Sequence, residues 1–341
     1  MVKNTGRPIQ LSLIIPLYNV SDRISSTLND IANQSFKEFE VILVDDCSED
    51  DSLDMALDFF TSCGIQVRFL RNQVNQGASF SRNRGMELAS SSYMVFFDAD
   101  DRMGKTFLED LFLEGEKTSA DLVFCGFAVK EELSGRKRSY LPHFSPKNKD
   151  IKNLCINEYL KGKRWLNASN IMYRSDLLRE NEIFFTEGCR FAEDREVILK
   201  ALYHSRKIGF VPEILSIYIQ HPDQSTRKMK KDVSKYAHGV GVYLRLMRYF
   251  KDREEYVTSR KILRQIVNYE LPNAYLKMVC SFAEMHDRVR FMKSLEAASI
   301  RKSLRSSWKC LYYKPEVSLK ALMFYFFPEK LFRSYAKSDF P

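Results

Sequence analysis

The sequence of 341 residues is poor in the residues that define fibrous and disulfide-rich proteins. It contains only 13 Gly and 10 Pro, which excludes a collagen-like or low-complexity chain. Its seven cysteines are odd in number and scattered, and no two of them form a C-x-x-C pair. This spacing argues against a disulfide framework and a zinc-finger site, and it favours a reducing cytoplasm.

Long apolar runs are also missing. No stretch approaches the roughly 18 uninterrupted apolar residues of a membrane-spanning helix. The first apolar run is broken by Pro16 and is not followed by a small-residue cleavage site, so no signal peptide is recognisable. We therefore expect a cytoplasmic protein, either free or peripheral on the inner face of the cell membrane.

What the chain does have is the balance of an ordinary globular protein, with 45% hydrophobic and 28% charged residues and a length typical of about two domains. Its net charge of +9 is unevenly placed. Residues 227–341 hold 25 Lys and Arg against 11 Asp and Glu, a net +14, whereas residues 1–226 hold 28 against 33, a net −5. The charge predicts a boundary near residue 226 and an anionic partner surface for the C-terminal region.

Alternation of apolar runs with helix-like segments dominates the first 130 residues. Units of about 30 residues with this pattern are typical of right-handed strand–helix–strand crossovers and a mostly parallel sheet, an α/β fold. Helical periodicity replaces it from about Asp232, and residues 209–220 are predicted as a pair of strands. The predicted strands of the first region are Leu11–Ile15, Val41–Val44, Val67–Leu70, Tyr93–Phe97 and Leu122–Val129.

Polar side chains follow three of these strands at the point where each one ends. Tyr18 and Asn19 follow the first strand, Asp45 and Asp46 close the second, and residues 98–101 (Asp-Ala-Asp-Asp) follow the fourth. Ligands of parallel α/β sheets bind beyond the carboxyl ends of the strands. The three segments are therefore predicted to meet in one cleft.

The segment at residues 98–101 allows two interpretations. Clustered carboxylates are hard oxygen ligands that suit Mg²⁺ or Mn²⁺, which can bridge to a diphosphate. The other interpretation is a turn in which Asp side chains accept local backbone hydrogen bonds. The pattern alone leaves both open.

Taken together, the motifs resemble glycosyltransferase family 2 on a GT-A fold, the nucleotide-diphospho-sugar transferase fold with its Rossmann-like sheet. The resemblance covers residues 11–127, resumes at residues 170–194 and is weak at residues 221–225. The motifs that carry it are Ile14-Ile15-Pro16-Leu17-Tyr18-Asn19, Val44-Asp45-Asp46-Cys47-Ser48, Asn75-Gln76-Gly77, Arg82-Asn83-x-Gly85 and Phe97-Asp98-Ala99-Asp100-Asp101. Position 47 departs from the family, which usually has a small residue there, often Gly.

The resemblance implies a role for each matching position. Tyr18 would lie along the nucleotide base, with Pro16 and Leu17 as the wall of its pocket. Asp46 would accept a hydrogen bond from the base, which favours uridine. The remaining implied roles are the diphosphate for Arg82, the ribose or sugar side of the donor for Asp98 with Ala99, and a divalent metal, Mn²⁺ or Mg²⁺, for Asp100 and His221. A loop histidine without a functional role explains His221 equally well.

A second segment with functional side chains is Arg190-Phe191-Ala192-Glu193-Asp194-Arg195-Glu196. If a helix begins near Ala192, Asp194 shares a face with Val197, Ile198, Ala201 and Leu202 and points inward. Glu193 then lies with Glu196 and Lys200 on a solvated face. The resemblance implies that Asp194 is the catalytic base, whereas an acid at a helix start also satisfies free backbone N–H groups without any catalytic role.

The function that the resemblance implies is an inverting glycosyltransferase, hexosyl- or N-acetylhexosaminyl-, that uses a UDP-linked sugar. Its acceptor would be a saccharide or lipid-linked hydroxyl in cell-surface polysaccharide or lipopolysaccharide synthesis. Residues 1–226 would form the catalytic domain, with a donor half (11–127) and an acceptor half (128–226). The alternatives are a nucleotidyltransferase and a non-catalytic nucleotide-sugar-binding protein; nucleic acid is not an expected partner, since the C-terminal region has no recognised binding motif.

Residues 227–341 form the expected basic helical region. Near its end, aromatic and basic residues alternate between residues 308 and 337. Such a mixture suits the surface of an anionic membrane. A helical subdomain that packs its aromatic residues inward explains the pattern equally well.

Overall fold

The computed structural model describes residues 8–141, 151–160, 166–222, 233–253, 255–280, 302–305, 307–310, 319 and 321. The chain divides into two compact units, residues 1–221 and 222–341. The boundary predicted at residue 226 and most of the aromatic and basic segment at residues 308–337 lie outside the described residues.

The described residues of the first unit form nine strands. They are β1 (Leu11–Leu17), β2 (Phe39–Asp45), β3 (Val67–Arg71), β4 (Tyr93–Phe96), β5 (Arg102–Met103), β6 (Leu122–Glu131), β7 (Lys137–Tyr140), β8 (Ile171–Arg174) and β9 (Ile208–Gln220). Its helices are α1 (Ile24–Ala32), α2 (Ser52–Cys63), α3 (Ala78–Leu88), α4 (Phe107–Thr118), α5 (Ile151–Leu160), α6 (Ser175–Glu180) and α7 (Glu193–His204).

The strand order is β3-β2-β1-β4-β8-β6-β9-β5, with β7 beside β6. The predicted parallel arrangement holds from β3 to β4, where each crossover contains a helix. Beyond β4 the sheet is mixed, because β8 runs antiparallel to both β4 and β6, while β9 is parallel to β6. The expectation of a mostly parallel sheet therefore describes only the first half.

A single strand, β9, replaces the strand pair predicted at residues 209–220. Its ladder with β6 is interrupted where Val211 and Ile214 face consecutive residues of β6, Cys125 and Gly126. Pro212 lies in this interruption and has no N–H to donate to a neighbour. A bulge, rather than a turn, is the result, and the strand continues to the residue before His221.

The core of this unit explains the local pattern of the sequence. Strand β1 is buried at six of its seven positions and β2 at all seven, as expected for central strands covered on both faces. Helix α3 approaches β1 so closely that a Cβ on Gly85 would lie 2.3 Å from Cγ2 of Ile14. Gly85 therefore allows the helix that carries Arg82 to lie against the central strand.

The described residues of the second unit are helical, as predicted. It contains α8 (Val233–Lys251), α9 (Val257–Gln265), a π-helical turn (Ile266–Glu270), α10 (Leu271–Cys280) and a 3₁₀ turn (Ser307–Cys310). Its buried side chains include Val242, Leu246, Phe250, Ile262, Ile266 and Leu304. Within the described ranges, no helix combines the length and the apolar character needed to cross a bilayer.

Candidate active site

The carboxyl ends of β1, β2 and β4 lie side by side, as predicted from the polar residues that follow these strands. Leu17, the last residue of β1, pairs with Asp45, the last residue of β2. The backbone N–H of Asp46 donates to the carbonyl of Leu17 at 2.8 Å, and that of Phe97 donates to Ile14 at 3.0 Å. These bonds extend the sheet into its loops and hold the three strand ends at one edge.

The expected base pocket is only partly available to a ligand. Tyr18 is 45% exposed, so its ring can receive a stacked base. Pro16 is half-buried, but the side chain of Leu17 lies in the hydrophobic core with no exposed surface. Leu17 can therefore contribute to the pocket wall only through its backbone.

Asp46 is buried and makes three hydrogen bonds that shape the loop after β3. Its Oδ1 accepts from Asn72 Nδ2 at 2.7 Å and from the N–H of Gln76 at 2.9 Å, and its Oδ2 accepts from the N–H of Gly77 at 2.7 Å. A carboxylate offers about four acceptor positions. One position is left for a ligand, so Asp46 orders the loop that precedes α3 whether or not it also contacts a base.

Cys47 has a left-handed backbone, with φ of 64°. This conformation costs an L-residue free energy that glycine does not lose. The departure from the family's frequent Gly at position 47 therefore places a strained Cys next to Asp46, while its Sγ lies 3.6 Å from the carbonyl oxygen of Gln73.

Arg82, on α3, connects the Asp-Ala-Asp-Asp segment at residues 98–101 with the segment at residues 190–196. Its Nη2 donates to Asp98 Oδ1 at 2.6 Å, and its Nη1 donates to Glu193 Oε1 at 3.1 Å. The Arg82 side chain is only 4% exposed, and its guanidinium lies over the ring of Phe185 at 5.1 Å. The two carboxylates hold the pKa of Arg82 above its ordinary value against the opposing effect of burial.

Glu193 does not lie on a solvated face, so that prediction was wrong. Its side chain is 19% exposed and paired with Arg82, and burial raises its pKa while Arg82 opposes the rise. The rest of the supposed solvated face is also covered: Glu196 is buried and accepts hydrogen bonds from Thr186 at 2.9 Å and Lys200 at 2.8 Å. This side of α7 meets protein instead of water.

Asp194 follows Glu193 in the first turn of α7, whose start is marked by Ala192 in a left-handed conformation, with φ of 61°. The residues expected to share its face, Val197, Ile198, Ala201 and Leu202, are buried. Burial raises the pKa of the Asp194 carboxyl, while Arg195 and Arg82 oppose the rise. A carboxylate with a raised pKa is a better proton acceptor than an ordinary one.

Asp100, in the loop after β4, lies beside His221, which directly follows β9. The Nε2 of His221 is 2.9 Å from Oδ2 of Asp100, and both side chains are largely buried. The other ring nitrogen of His221, Nδ1, is buried without a partner among the described residues. Burial and Asp98 raise the pKa of Asp100, and the contact with His221 opposes the rise.

One carboxylate and one imidazole fit a divalent cation as two protein ligands, and they leave positions for phosphate oxygens and water. The described residues contain no group of three or more His, Cys, Asp or Glu side chains arranged to hold a metal by themselves. Among the described residues, Asp100 and His221 are thus a pair of ligands that leaves coordination positions open for phosphate oxygens or water.

Two neighbours in the Asp-Ala-Asp-Asp segment have structural contacts. Ala99 is buried, and its carbonyl accepts from Thr27 Oγ1 at 2.7 Å, so only its backbone can face a donor. Asp101 is buried and accepts from the N–H of Ile219 at 3.1 Å. That bond ties the loop after β4 to the end of β9, directly before His221.

Sequence reasoning missed Glu193 as a partner of Arg82 and did not assign Asn83 a structural role. Asn83 exchanges two hydrogen bonds of 2.9 Å with the backbone of Phe185, its amide donating to the carbonyl and its oxygen accepting from the N–H. It thereby holds the segment before α7 against α3. The sequence contained a signal for the role of Asn83, because this residue stands beside Arg82 in one motif. No sequence pattern linked Arg82 to Glu193.

Comparison with known proteins identifies the family of this chain. The profile "Glycosyl transferase family 2" matches residues 12–191. The chain is 30% identical over 221 residues to the uncharacterized glycosyltransferase EpsJ of Bacillus subtilis, a match covering 63% of this chain and 62% of EpsJ. It is 24% identical over 283 residues to the poly(ribitol-phosphate) beta-N-acetylglucosaminyltransferase TarS of Staphylococcus aureus, covering 82% of this chain and 44% of TarS. The chain thus spans between about two fifths and two thirds of these curated relatives.

Solved structures share the fold. TarS 1–349 from S. aureus in complex with UDP-GlcNAc aligns with a TM-score of 0.67 at 18% identity, over 96% of this chain and 92% of that one. The mannosyltransferase PcManGT from Pyrobaculum calidifontis, in complex with GDP-Man and Mn²⁺, aligns with a TM-score of 0.52 at 15% identity, over 95% and 88%. The expected fold class, a GT-A α/β fold followed by a helical region, is confirmed.

Proposed function

The chain belongs to glycosyl transferase family 2, and on that premise we propose that it transfers a sugar from a UDP-linked donor to an acceptor hydroxyl with inversion of the anomeric configuration. The observation that supports the proposal is the bridge from Asp98 through the buried Arg82 to Glu193, which connects the loop after β4 to the first turn of α7, where Asp194 follows Glu193. Family membership also decides against the nucleotidyltransferase alternative.

The donor side of the proposed site consists of residues at the carboxyl ends of β1, β2 and β4. Tyr18 is the exposed ring that stacks on the base, and the free acceptor position of Asp46 suits the ring N–H of uracil. Asp98 is assigned to the ribose or sugar side of the donor. Arg82 uses two of its five N–H donors for Asp98 and Glu193, and its buried Nε has no partner among the described residues. The two ion pairs therefore leave donors for a diphosphate, and we assign Arg82 both to the diphosphate and to aligning Asp98 and Glu193.

Asp194 is the proposed base. Its carboxylate takes the proton of the acceptor hydroxyl while the oxygen forms a bond to the anomeric carbon. The bond from that carbon to the diphosphate oxygen breaks, and UDP leaves with its electron pair. A single displacement of this kind inverts the configuration and needs no covalent sugar–protein intermediate.

Asp100 and His221 are the residues that would hold Mn²⁺ or Mg²⁺, whose charge, when the cation is bound, offsets that of the leaving diphosphate. Their donor atoms and their 2.9 Å separation support this assignment. The Mn²⁺ complex of PcManGT, a structural neighbour, is consistent with it.

The acceptor is proposed to be a saccharide or lipid-linked hydroxyl of a cell-surface polymer such as a polysaccharide or lipopolysaccharide. The name of TarS, an N-acetylglucosaminyltransferase that acts on poly(ribitol-phosphate), supports a hexosaminyl donor and a surface polymer as acceptor. A cytoplasmic location at the inner face of the membrane, with an anionic membrane surface as a partner, remains part of the proposal.

A donor screen tests the proposal. UDP release is measured with UDP-GlcNAc and a panel of other UDP-sugars and GDP-sugars, with and without Mn²⁺, and the products are identified by mass spectrometry. We expect release from one or a few UDP-sugars, increased by Mn²⁺. Turnover of GDP-sugars alone would refute the assignment of the base pocket to uridine.

A further inference from the structure

A basic cavity lies within the C-terminal unit, and none of its described lining residues belongs to the proposed catalytic site. It has a volume of about 430 Å³, and the described residues that line it are Lys261, Arg264, Gln265, Asn268 and Lys309. Three of these five side chains are cationic, and none is a carboxylate. A cavity of this size is within the range of small-molecule sites.

The fold brings these residues together from three elements. Lys261, Arg264 and Gln265 lie one turn apart on the last part of α9, Asn268 lies in the π-helical turn that follows, and Lys309 comes from the 3₁₀ turn that packs on it. A π-helical turn is rare and frequently marks a functional site. The cations therefore converge on one space, although they are not consecutive in the sequence.

The chemistry of the lining favours a phosphate group. Lys261, Arg264 and Lys309 are exposed around the cavity, whereas Asn268 is only 7% exposed. An arginine can bind two phosphate oxygens at once, lysines contribute point charges, and the Asn and Gln amides donate further hydrogen bonds. Three cations match a group with two or more negative charges better than a singly charged carboxylate.

We propose that this cavity is a phosphate-binding site of the C-terminal unit, which takes a phosphomonoester or diphosphate group of an anionic ligand. The site goes beyond the proposed transfer reaction and does not depend on it. It gives three of the 25 basic residues in the range 227–341 a shared role.

The test is a calorimetric titration of the full chain with inorganic pyrophosphate in the absence of UDP and of divalent metal, in which any binding at the donor site is common to the wild type and both variants. The cavity variant carries Lys261→Gln, Arg264→Gln and Lys309→Gln. The matched control carries Lys251→Gln, Lys277→Gln and Lys302→Gln, three exposed lysines of the same unit that do not line the cavity. Both variants lose the same net charge.

We expect the cavity variant to bind pyrophosphate at least tenfold more weakly than the wild type and the control variant to match the wild type. Equal loss in both variants, or no loss in either, would overturn the proposal. If the triple variant is poorly folded, the single variants Lys261→Glu and Lys251→Glu give the same comparison, since both side chains are exposed. UDP release from the donor panel is measured in parallel, so failure of the donor site is recognised separately.

The source of the phosphate is distinguished by co-sedimentation with vesicles of phosphatidylcholine alone or with phosphatidic acid, whose head group is a phosphomonoester. Loss of binding to the phosphatidic acid vesicles in the cavity variant but not in the control would identify a lipid head group. Weaker pyrophosphate binding in the cavity variant, together with equal vesicle binding by all three proteins, would identify a soluble phosphorylated ligand.

Discussion

Arg82 and Glu193, separated by 111 positions in the sequence, form a hydrogen-bonded ion pair of 3.1 Å inside the first unit. The pair links α3, which packs on the central strand β1, to the first turn of α7. Because the next residue is Asp194, the position of the proposed base depends on an arginine whose second ion pair is with Asp98, in the loop after β4. The loop after β4 and the first turn of α7 are thereby joined through the side chain of Arg82.

The first prediction is that Glu193→Gln destabilises the protein by about 1–3 kcal/mol, since a hydrogen bond to a buried charged group is lost or weakened. It should also reduce kcat more than the affinity for donor, because Asp194 loses its alignment. Thermal unfolding and initial rates measure the two effects. Glu180→Gln, at an exposed glutamate of α6, is the control; a Glu193→Gln protein that behaves like this control would refute the linking role.

The sequence was sufficient to predict the positions of the strand ends but not every role of the residues there. Apolar β-branched runs placed β1, β2 and β4 within a residue or two, because central strands must be buried on both faces. Of the two acids that close β2, Asp45 forms a 3.1 Å ion pair with Arg71, whereas Asp46 orders the loop at residues 72–77. Local pattern does not distinguish two adjacent carboxylates whose partners come from other elements.

Helical periodicity failed at Glu193 for a related reason. It assumes that the face opposite the apolar stripe meets water. In α7 that face meets Thr186 and the side chain of Arg82, so its charged residues are paired inside the protein. Only the tertiary arrangement of α3 and α7 provides this information, and it is absent from a window of neighbouring residues.

A second prediction concerns the base itself. Asp194→Asn should abolish sugar transfer and leave UDP-sugar affinity nearly unchanged, because the amide keeps the shape of the side chain but cannot accept the proton. Product formation by mass spectrometry and donor binding by calorimetry provide the two measurements. Full activity in Asp194→Asn would show that another group is the base.

The pH dependence of the wild-type protein offers an independent test of Asp194. The base must be ionised, and burial raises the pKa of its carboxyl above the ordinary 3.8. The value of kcat/KM should therefore rise with pH through an apparent pKa above 3.8 and be lost as the pH falls below it. Arg195 opposes the rise in pKa, so Arg195→Gln should move this acidic limb to higher pH. An unmoved limb in Arg195→Gln would argue against Asp194 as the titrating group.

Asp100→Ala should remove the metal dependence of donor binding. In the wild type, we expect UDP to bind more tightly with Mn²⁺ than without it, whereas Asp100→Ala should bind UDP equally weakly in both conditions. Asp51→Ala removes an exposed carboxylate at the start of α2 and serves as the charge-matched control. Retention of the Mn²⁺ effect by Asp100→Ala would exclude Asp100 as a ligand.

The last prediction is that Cys47→Gly stabilises the protein. At φ of 64°, Cys47 loses about 1–2 kcal/mol relative to an unstrained residue, and the greater freedom of glycine in the unfolded chain returns about 0.4–1 kcal/mol of that difference. The net gain of about 0.5–1 kcal/mol should raise Tm by about 1–3 °C, to be measured by calorimetry. Cys63→Gly is the matched control, because Cys63 is the exposed last residue of α2 and glycine lowers helix stability there. The two substitutions are chemically identical and should shift Tm in opposite directions; a decrease in both would mean that the contact of Cys47 Sγ with Gln73 outweighs the backbone strain.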